Sequence, residues 1–296
     1  METGSLKNTF KMIGPIAWLA LAAGLQMIGA LLFFKAPIDL ILIFTGITIT
    51  FGVYMLNKFT DDEDNYNCPD QKMFFQKKSL LIASPILLIV SSIFLLVITN
   101  RLVAWHIILI VSGILYSISV IPFVRNKSLC FIRLKNILFI KNIVVCLLWG
   151  ITPFALAASK KYSVMPGKTD LLIAVIAFCL TTFITAIAYD VPDADGDRHV
   201  GVLTITTQFG EKFTAYFLLI TGIIGCFCVG IFYLMGIIKL PVTILFYANI
   251  LWTGIVTIPA FIKTTPILKS YIKPLLDSQC VFCGLSLIVF SYILRP

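Results

Sequence analysis

Long apolar runs separated by short polar loops dominate the pattern of this chain. Nine runs are long enough to cross a membrane, since a spanning helix needs about 20 apolar residues. They cover about 12–34, 37–56, 79–99, 103–123, 137–158, 170–189, 213–238, 241–262 and 274–294. No soluble domain or linker separates them. The pattern predicts an all-α membrane protein in which residues 1–296 form a single polytopic domain, a bundle of about nine transmembrane helices.

The composition agrees with a lipid environment. Hydrophobic residues make up 59% of the 296 positions and charged residues only 12%, whereas a soluble domain carries about 25% charged residues. A globular fold of this size could not bury that much apolar surface. The net charge of +9 would suit a nucleic-acid partner, but the Lys and Arg residues lie in short loops between apolar runs. We therefore expect membrane lipid, and not nucleic acid, as a partner.

The distribution of positive charge over alternate loops predicts the orientation. If the N-terminus is cytoplasmic, fifteen Lys and Arg residues fall on the cytoplasmic side and seven on the other, while Lys141 falls inside a span. Positive residues are enriched in the cytoplasmic loops of membrane proteins. The bias therefore predicts a cytoplasmic N-terminus, in an integral multi-pass protein of the cell membrane.

Two polar clusters fall on this same predicted side. The first follows the second span and has oxygen-bearing side chains four residues apart: Asn57, Asp61 and Asn65. The second follows the sixth span and has acids at i, i+3 and i+7: Asp190, Asp193 and Asp197. Both spacings place the side chains on one helical face, where like charges repel each other. The spacing therefore favours a bound cation in each cluster.

The ligand chemistry indicates Mg²⁺. All the side chains offer oxygen, and Mg²⁺ is usually held by one or two carboxylates together with substrate phosphates. Two such clusters at one end of an apolar bundle predict a diphosphate held between metal ions, with its hydrophobic tail running into the membrane. The alternative is that both are solvated acidic loops that keep the helix ends in water. Helical spacing in both clusters favours the metal site.

The clusters resemble the signature of the UbiA family of intramembrane prenyltransferases, an NxxxDxxxD motif after the second helix and a DxxxD motif after the sixth. Asn57 and Asp61 match the first motif; Asp193 and Asp197 match the second, and Asp190 matches a frequent extra acid. The run 193–201 is similar to the family's DxEGDRxxG sequence, and nine spans match as well. Further stretches resemble its conserved loop and fifth helix: Leu115 to Pro122, Arg133 to Lys135, and Lys141-Asn142.

Two departures concern the first motif. Asn65 stands where the family has a third acid, so it offers an oxygen ligand without charge. Family members also often carry an Arg before the next proline, where this chain has Cys68 before Pro69. Both departures predict either weaker metal binding at the first cluster or a shifted helix register. Lys72 is the candidate for the missing positive charge.

The resemblance implies a helical bundle around a central cavity, and a Mg²⁺-dependent transfer of an isoprenyl group from a prenyl diphosphate to an aromatic or lipid acceptor through an allylic carbocation. The expected metal ligands are Asn57, Asp61, Asn65, Asp190, Asp193 and Asp197. The expected catalytic residues are Asp61, Asp193, Asp197, Lys141 and Tyr189. The expected diphosphate-binding residues are Asn57, Lys72, Tyr116, Arg133, Lys135 and Arg198. The topology predicted from Lys and Arg places both clusters, and therefore the expected active site, on the cytoplasmic side.

Lys141 is the sharpest of these candidates, because a lysine inside a membrane span is costly and usually functional. The alternative is that its side chain extends to the nearby interface. Two other functions also stay open. A membrane terpene cyclase of the same family would ionise the diphosphate without an acceptor. A cation transporter would use the acids as ion ligands, but it predicts acids buried in mid-span rather than at helix ends.

Overall fold

The structure is a computed structural model that describes residues 2–60, 80–125, 128–161, 163–262 and 266–293. Its helices are α1 (Glu2–Phe33), α2 (Leu40–Thr60), α3 (Leu80–Ile98), α4 (Ala104–Ser117), α5 (Ile140–Ala158), α6 (Lys168–Val200), α7 (Ile205–Phe209), α8 (Glu211–Leu234), α9 (Leu240–Phe261) and α10 (Pro266–Ile293). Within these ranges, seven helices are long and apolar enough to cross a membrane, and α3 and α4 supply shorter apolar stretches. Each predicted span corresponds to a helix, which confirms the all-α membrane fold. The cytoplasmic N-terminus stays a prediction.

A β-hairpin interrupts the helices between α4 and α5. Strand β1 (Ile121–Arg125) pairs antiparallel with β2 (Ser128–Ile132), and a 3-10 turn (Leu134–Asn136) follows. The fourth predicted span, 103–123, is therefore too long, because α4 ends at Ser117. Pro122 disfavours a helical conformation at Ile121, and the β-branched residues around it suit a strand. The hairpin fixes where the segment with Arg133 and Lys135 rejoins the bundle.

The helices pack closely where glycine permits it. Helix α1 packs along α10 and α2, while α6 contacts α5, α8, α9 and α10. A Cβ atom on Gly284 of α10 would lie 2.8 Å from the backbone nitrogen of Gln26 in α1. A Cβ atom on Gly150 of α5 would lie 2.8 Å from the backbone nitrogen of Cys179 in α6. Small residues at such contacts are typical of helix packing in membranes.

Apolar side chains cover the outside of the bundle as well as its core. The largest buried cluster includes Phe34, Phe154, Phe178 and Phe246. Large apolar side chains of α8 are exposed on its outer face, among them Leu219, Ile220, Ile223, Ile224 and Phe227. Exposure of this kind along a whole helix suits lipid as the surrounding solvent. The chain is thus an integral multi-pass membrane protein.

Helix α6 continues well beyond the predicted end of the sixth span at 189. It carries the whole second cluster and ends only at Val200, where Gly201 adopts φ +78°. The Gly201 N–H donates to the carbonyls of Asp197 and Arg198, as in a glycine-terminated helix. The second cluster therefore lies on a helix rather than in a loop. The prediction that Asp190, Asp193 and Asp197 share one helical face is confirmed.

The opposite end of the bundle contains a compact ion cluster around Asp39. Its Oδ1 accepts from the backbone N–H groups of Ile41 and Leu42, which caps α2. Its Oδ2 accepts from Arg101 at 2.8 Å and from Lys160. Burial alone would raise the pKa of Asp39, but hydrogen bonds from Lys160, Arg101 and the Leu42 N–H outweigh burial and lower it to about 2. Asp39 therefore ties three segments together as a carboxylate.

Candidate active site

A cavity of about 290 Å³ opens at the end of the bundle that carries the second cluster. Its walls come from α1, α2, α4, α5, α6 and α10. The polar side chains that line it are Tyr54, Asn57, Lys58, Tyr116, Lys135, Lys141, Thr182, Thr185, Tyr189, Asp193, Asp197, Lys273 and Asp277. Asn57 of the first predicted cluster thus lines the same cavity as Asp193 and Asp197 of the second. Seven of the predicted site residues line this one cavity.

The second cluster divides between the cavity and the protein interior. Asp193 and Asp197 line the cavity, and Asp193 Oδ1 lies 2.6 Å from the Nζ of Lys273. Asp190 is 1% exposed and lies behind the lining. Its two oxygens accept from Lys141 Nζ at 2.8 Å and from Asn142 Nδ2 at 3.2 Å. Asp190 therefore holds Lys141 against the cavity, and its expected role as a metal ligand stays a prediction.

The Lys and Arg residues predicted to take part in catalysis or diphosphate binding differ in their position relative to the cavity. Lys135 and Lys141 line the cavity. Arg133 is buried beside it, and its Nη1 donates to the carbonyl of Thr60 at 2.7 Å, at the last residue of α2. Arg198 is largely exposed and pairs with Asp195 at 3.2 Å. Arg133 thus holds the end of α2, and Arg198 is not among the residues that line the cavity. The expected binding of diphosphate by both residues stays a prediction.

The rest of the first cluster falls after the described end of α2. Asn57 lies in the last turn of that helix, which ends at Thr60. Asp61, Asn65 and Lys72 lie outside the described residues. Their expected roles stay predictions.

A second, apolar cavity of about 150 Å³ adjoins the polar one. The two share Tyr54, Asn57, Tyr116, Val145 and Trp149. Trp149 Nε1 donates to the hydroxyl of Tyr54 at 3.1 Å, and their rings meet edge to face. Beyond this aromatic boundary the walls are almost entirely apolar, from residues such as Ala23, Met27, Ile49, Leu148 and Leu156. The combined space suits a ligand with a charged head and an apolar tail.

Helix α10 contributes cavity residues that the sequence analysis did not select. Lys273 and Asp277 both line the cavity, one helical turn apart. The hydroxyl of Tyr189 donates to Asp277 and also lies 2.8 Å from the carbonyl oxygen of Lys273. An aspartate inside the apolar run 274–294 was a usable signal, because ionisable residues in membrane spans are costly and usually functional.

The side chains in the cavity fit Mg²⁺ by their chemistry. Asn57, Asp193 and Asp197 offer oxygen atoms only, which hard divalent cations prefer. Among the described residues, no three His, Cys, Asp or Glu side chains converge on one point as a closed metal site. Mg²⁺ tolerates such an incomplete set, because it keeps waters and takes substrate phosphate oxygens as further ligands.

Comparison with known proteins agrees with this geometry. The model of the UbiA prenyltransferase family matches residues 16–260. No curated protein matches this chain in sequence. A solved digeranylgeranylglyceryl phosphate synthase is 19% identical, with 98% of this chain and 99% of that chain covered and a TM-score of 0.59.

Two solved UbiA homologues of archaea share the fold at lower identity. The homologue from Archaeoglobus fulgidus, bound to DMAPP and Mg²⁺, is 14% identical over 95% of this chain and 98% of its own, with a TM-score of 0.62. The apo homologue from Aeropyrum pernix K1 is 14% identical over 93% of this chain and 98% of its own, with a TM-score of 0.56. Since the family model covers most of the sequence, this chain belongs to the UbiA prenyltransferase family.

Proposed function

We propose that this protein is a Mg²⁺-dependent prenyltransferase that moves an isoprenyl group from a prenyl diphosphate to an aromatic or lipid acceptor within the membrane. The observation that carries the proposal is that a polar and an apolar cavity adjoin each other. Carboxylates and lysines line the polar one, and the aromatic residues Tyr54, Tyr116 and Trp149 line both. Structures of the A. fulgidus homologue with DMAPP or GPP and Mg²⁺ support the choice of donor.

The polar cavity would hold the diphosphate. Asn57, Asp193 and Asp197 would bind Mg²⁺, together with Asp61 of the first motif. When bound, Mg²⁺ neutralises the diphosphate and stabilises it as a leaving group. Lys135 and Lys141 would add point charges against the phosphate oxygens. The Asp190 carboxylate accepts hydrogen bonds from both Lys141 and Asn142, and this arrangement keeps the Lys141 ammonium in place.

The aromatic boundary would hold the reacting carbon. When the bond between C1 and the diphosphate oxygen breaks, the prenyl chain becomes an allylic cation. The rings of Tyr54, Tyr116 and Trp149 lie between the polar and apolar cavities, where cation–π attraction would stabilise that charge. The apolar cavity would take the hydrocarbon tail and exclude water from the cation.

The orientation belongs to the same proposal. The bias of Lys and Arg towards the loops at the cavity end supports a cavity that opens to the cytoplasmic side of the cell membrane. A prenyl diphosphate made in the cytoplasm would then enter from that side.

The test compares two aspartates of one helix. Asp193 lines the cavity, whereas the side chain of Asp195 is 85% exposed and pairs with Arg198. With the protein in lipid nanodiscs, Mg²⁺ and geranylgeranyl diphosphate, Asp193→Ala should lower the release of inorganic diphosphate at least ~100-fold. Asp195→Ala, the matched control, should stay within about twofold of the wild type. Equal rates of diphosphate release in both variants would mean that the second motif takes no part in the reaction.

The products separate the transferase from its alternatives. Transfer to an acceptor, such as a phenolic acid or a glycerol lipid, supports the proposal. A cyclic hydrocarbon or alcohol formed without acceptor would identify a terpene cyclase instead. Mg²⁺ flux across vesicles without any diphosphate release would identify a transporter.

A further inference from the structure

Asp277 is the one carboxylate among the described cavity residues that belongs to neither motif. It lies on α10, within the stretch Tyr271–Ile293 that is apolar enough to span the membrane, and its side chain is 5% exposed. A carboxylate inside an apolar bundle is costly to bury. Such a residue is a candidate functional group by default.

Helices α6 and α10 run antiparallel and meet in two polar contacts. In the outer contact, Lys273 lies 2.6 Å from Asp193. In the inner contact, the hydroxyl of Tyr189 donates to Asp277. The two contacts are separated by four residues on each helix, which is about 6 Å along the helix axis. Asp277 therefore lies one turn deeper in the bundle than Asp193, on the side of the apolar cavity.

The hydrogen-bonding of Asp277 differs from that of Asp190. Asp190 accepts from Lys141 and from Asn142, so an ammonium and an amide hold its two oxygens. The hydroxyl of Tyr189, a neutral group, donates to Asp277. Lys58 of α2 and Lys273 of α10 line the same cavity. A carboxylate whose hydrogen-bond donor is a neutral hydroxyl is suited to accept a proton from a ligand in that cavity.

We infer that Asp277 accepts the proton that the acceptor loses as it attacks the prenyl group. The inference rests on the proposed transferase function. In the step, the bond between C1 and the diphosphate oxygen breaks, and its electron pair leaves with the diphosphate. The nucleophilic atom of the acceptor forms a bond to C1, and the proton that the acceptor gives up moves to the Asp277 carboxylate. Tyr189 is the positioning residue that orients this carboxylate.

The test compares nucleophiles that do and do not lose a proton. Wild-type protein in nanodiscs receives Mg²⁺, geranylgeranyl diphosphate and either methanol or sodium azide. Methanol must lose a proton when it attacks, whereas azide ion has none to lose. In Asp277→Asn, formation of the methyl ether should fall at least ~10-fold, while formation of the prenyl azide stays within about twofold of wild type.

Three further variants control for folding. Ser278→Ala changes the neighbouring residue of α10 and should keep both rates. Asp277→Glu retains a carboxylate and should restore part of the methyl ether formation. Tyr189→Phe should shift the ratio of ether to azide in the same direction as Asp277→Asn, by about three- to fivefold, because the carboxylate loses its orientation but not its charge.

Two outcomes overturn the inference. Equal losses of ether and azide in Asp277→Asn would mean that Asp277 acts on ionisation or folding. Unchanged ether formation would mean that it takes no proton. If the wild type itself releases no diphosphate with Mg²⁺, the proposed function fails and this inference fails with it. That result is distinct from the two above, in which wild-type turnover is intact.

Discussion

The two ends of this bundle use buried aspartates in different ways. At one end, Asp39 accepts hydrogen bonds from Arg101, Lys160 and the first N–H groups of α2. At the other end, Asp193, Asp197 and Asp277 surround a cavity of about 290 Å³. Aspartate thus takes part in an ion cluster at one end of the bundle and lines a cavity at the other.

The comparison indicates which feature sets the proposed catalytic carboxylates apart from a structural one. Burial does not, because Asp39 and Asp197 are both buried. An ion pair does not either, because Asp39 and Asp193 both have one. The feature that we propose as distinguishing is the cavity that Asp193 and Asp197 line, which adjoins an apolar cavity.

The largest effect is expected at Lys141, which lines the cavity and also forms an ion pair with the buried Asp190. Lys141→Met removes a cation from the cavity and leaves Asp190 buried without its ammonium. We expect at least ~100-fold slower diphosphate release and a loss of about 3–5 kcal/mol in the free energy of unfolding. Turnover assays and thermal unfolding measure the two effects. The double variant Lys141→Met/Asp190→Leu should regain stability but not activity; regained activity would make Lys141 purely structural.

A smaller effect, on stability alone, is expected at Asp39. Asp39→Asn leaves two cations side by side and weakens the cap of α2, so we expect a loss of about 2 kcal/mol with turnover per folded molecule unchanged. The matched control is Asp170→Asn at the same end of the bundle. Its partner Lys239 is 3.6 Å away and largely exposed, so that loss should stay below about 1 kcal/mol. Slower turnover in Asp39→Asn would break the comparison.

Arg133 and Arg198 form a further matched pair at the cavity end. Arg133→Gln loses the hydrogen bond to the Thr60 carbonyl, which holds the last turn of α2 and therefore Asn57. We expect turnover about fivefold slower, because a misplaced ligand weakens the metal site. Arg198→Gln removes only an exposed pair with Asp195 and should change turnover less than twofold. An equal loss of turnover in both variants would indicate that Arg198 binds the diphosphate.

The smallest effect is the pH dependence of the Asp39 cluster. The pKa of Asp39 is lowered in the folded protein to about 2 from 3.8, so its contribution to stability is complete above pH ~4 and is lost as the pH falls towards 2. The difference in unfolding temperature between wild type and Asp39→Asn should therefore be constant at pH 5–7 and shrink between pH 4 and 2. A difference that grows on acidification would contradict the ion cluster.

Much of the fold was predictable because lipid imposes one simple rule. Every spanning segment must be long and apolar, so the nine runs could be read directly from the chain. The boundaries were less predictable. The sixth span appeared to end at Tyr189 because polar residues begin there, yet the helix continues to Val200. The fourth appeared to reach 123 because the strand that begins at Ile121 is as apolar as the helix before it.

The site was predictable where its residues follow a helical spacing within one segment. Asp193 and Asp197 are four residues apart, and their face of α6 could be derived from that alone. The roles of Arg133 and Asp190 depend on contacts with Thr60 and Lys141, far away in the sequence, which no local pattern contains. The pairing of Asp193 with Lys273 depends in the same way on how α10 packs against α6.

The close contact of α10 with α1 has a consequence for biosynthesis. Translation delivers both sequence motifs to the membrane well before α10, so the nascent protein holds its acidic residues around a space that still lacks one wall. Gly284 then lets α10 dock against the backbone of α1, and the same docking brings Lys273 and Asp277 into place. A chain stalled before α10 would thus have both motifs but would lack the cavity wall that carries Lys273 and Asp277.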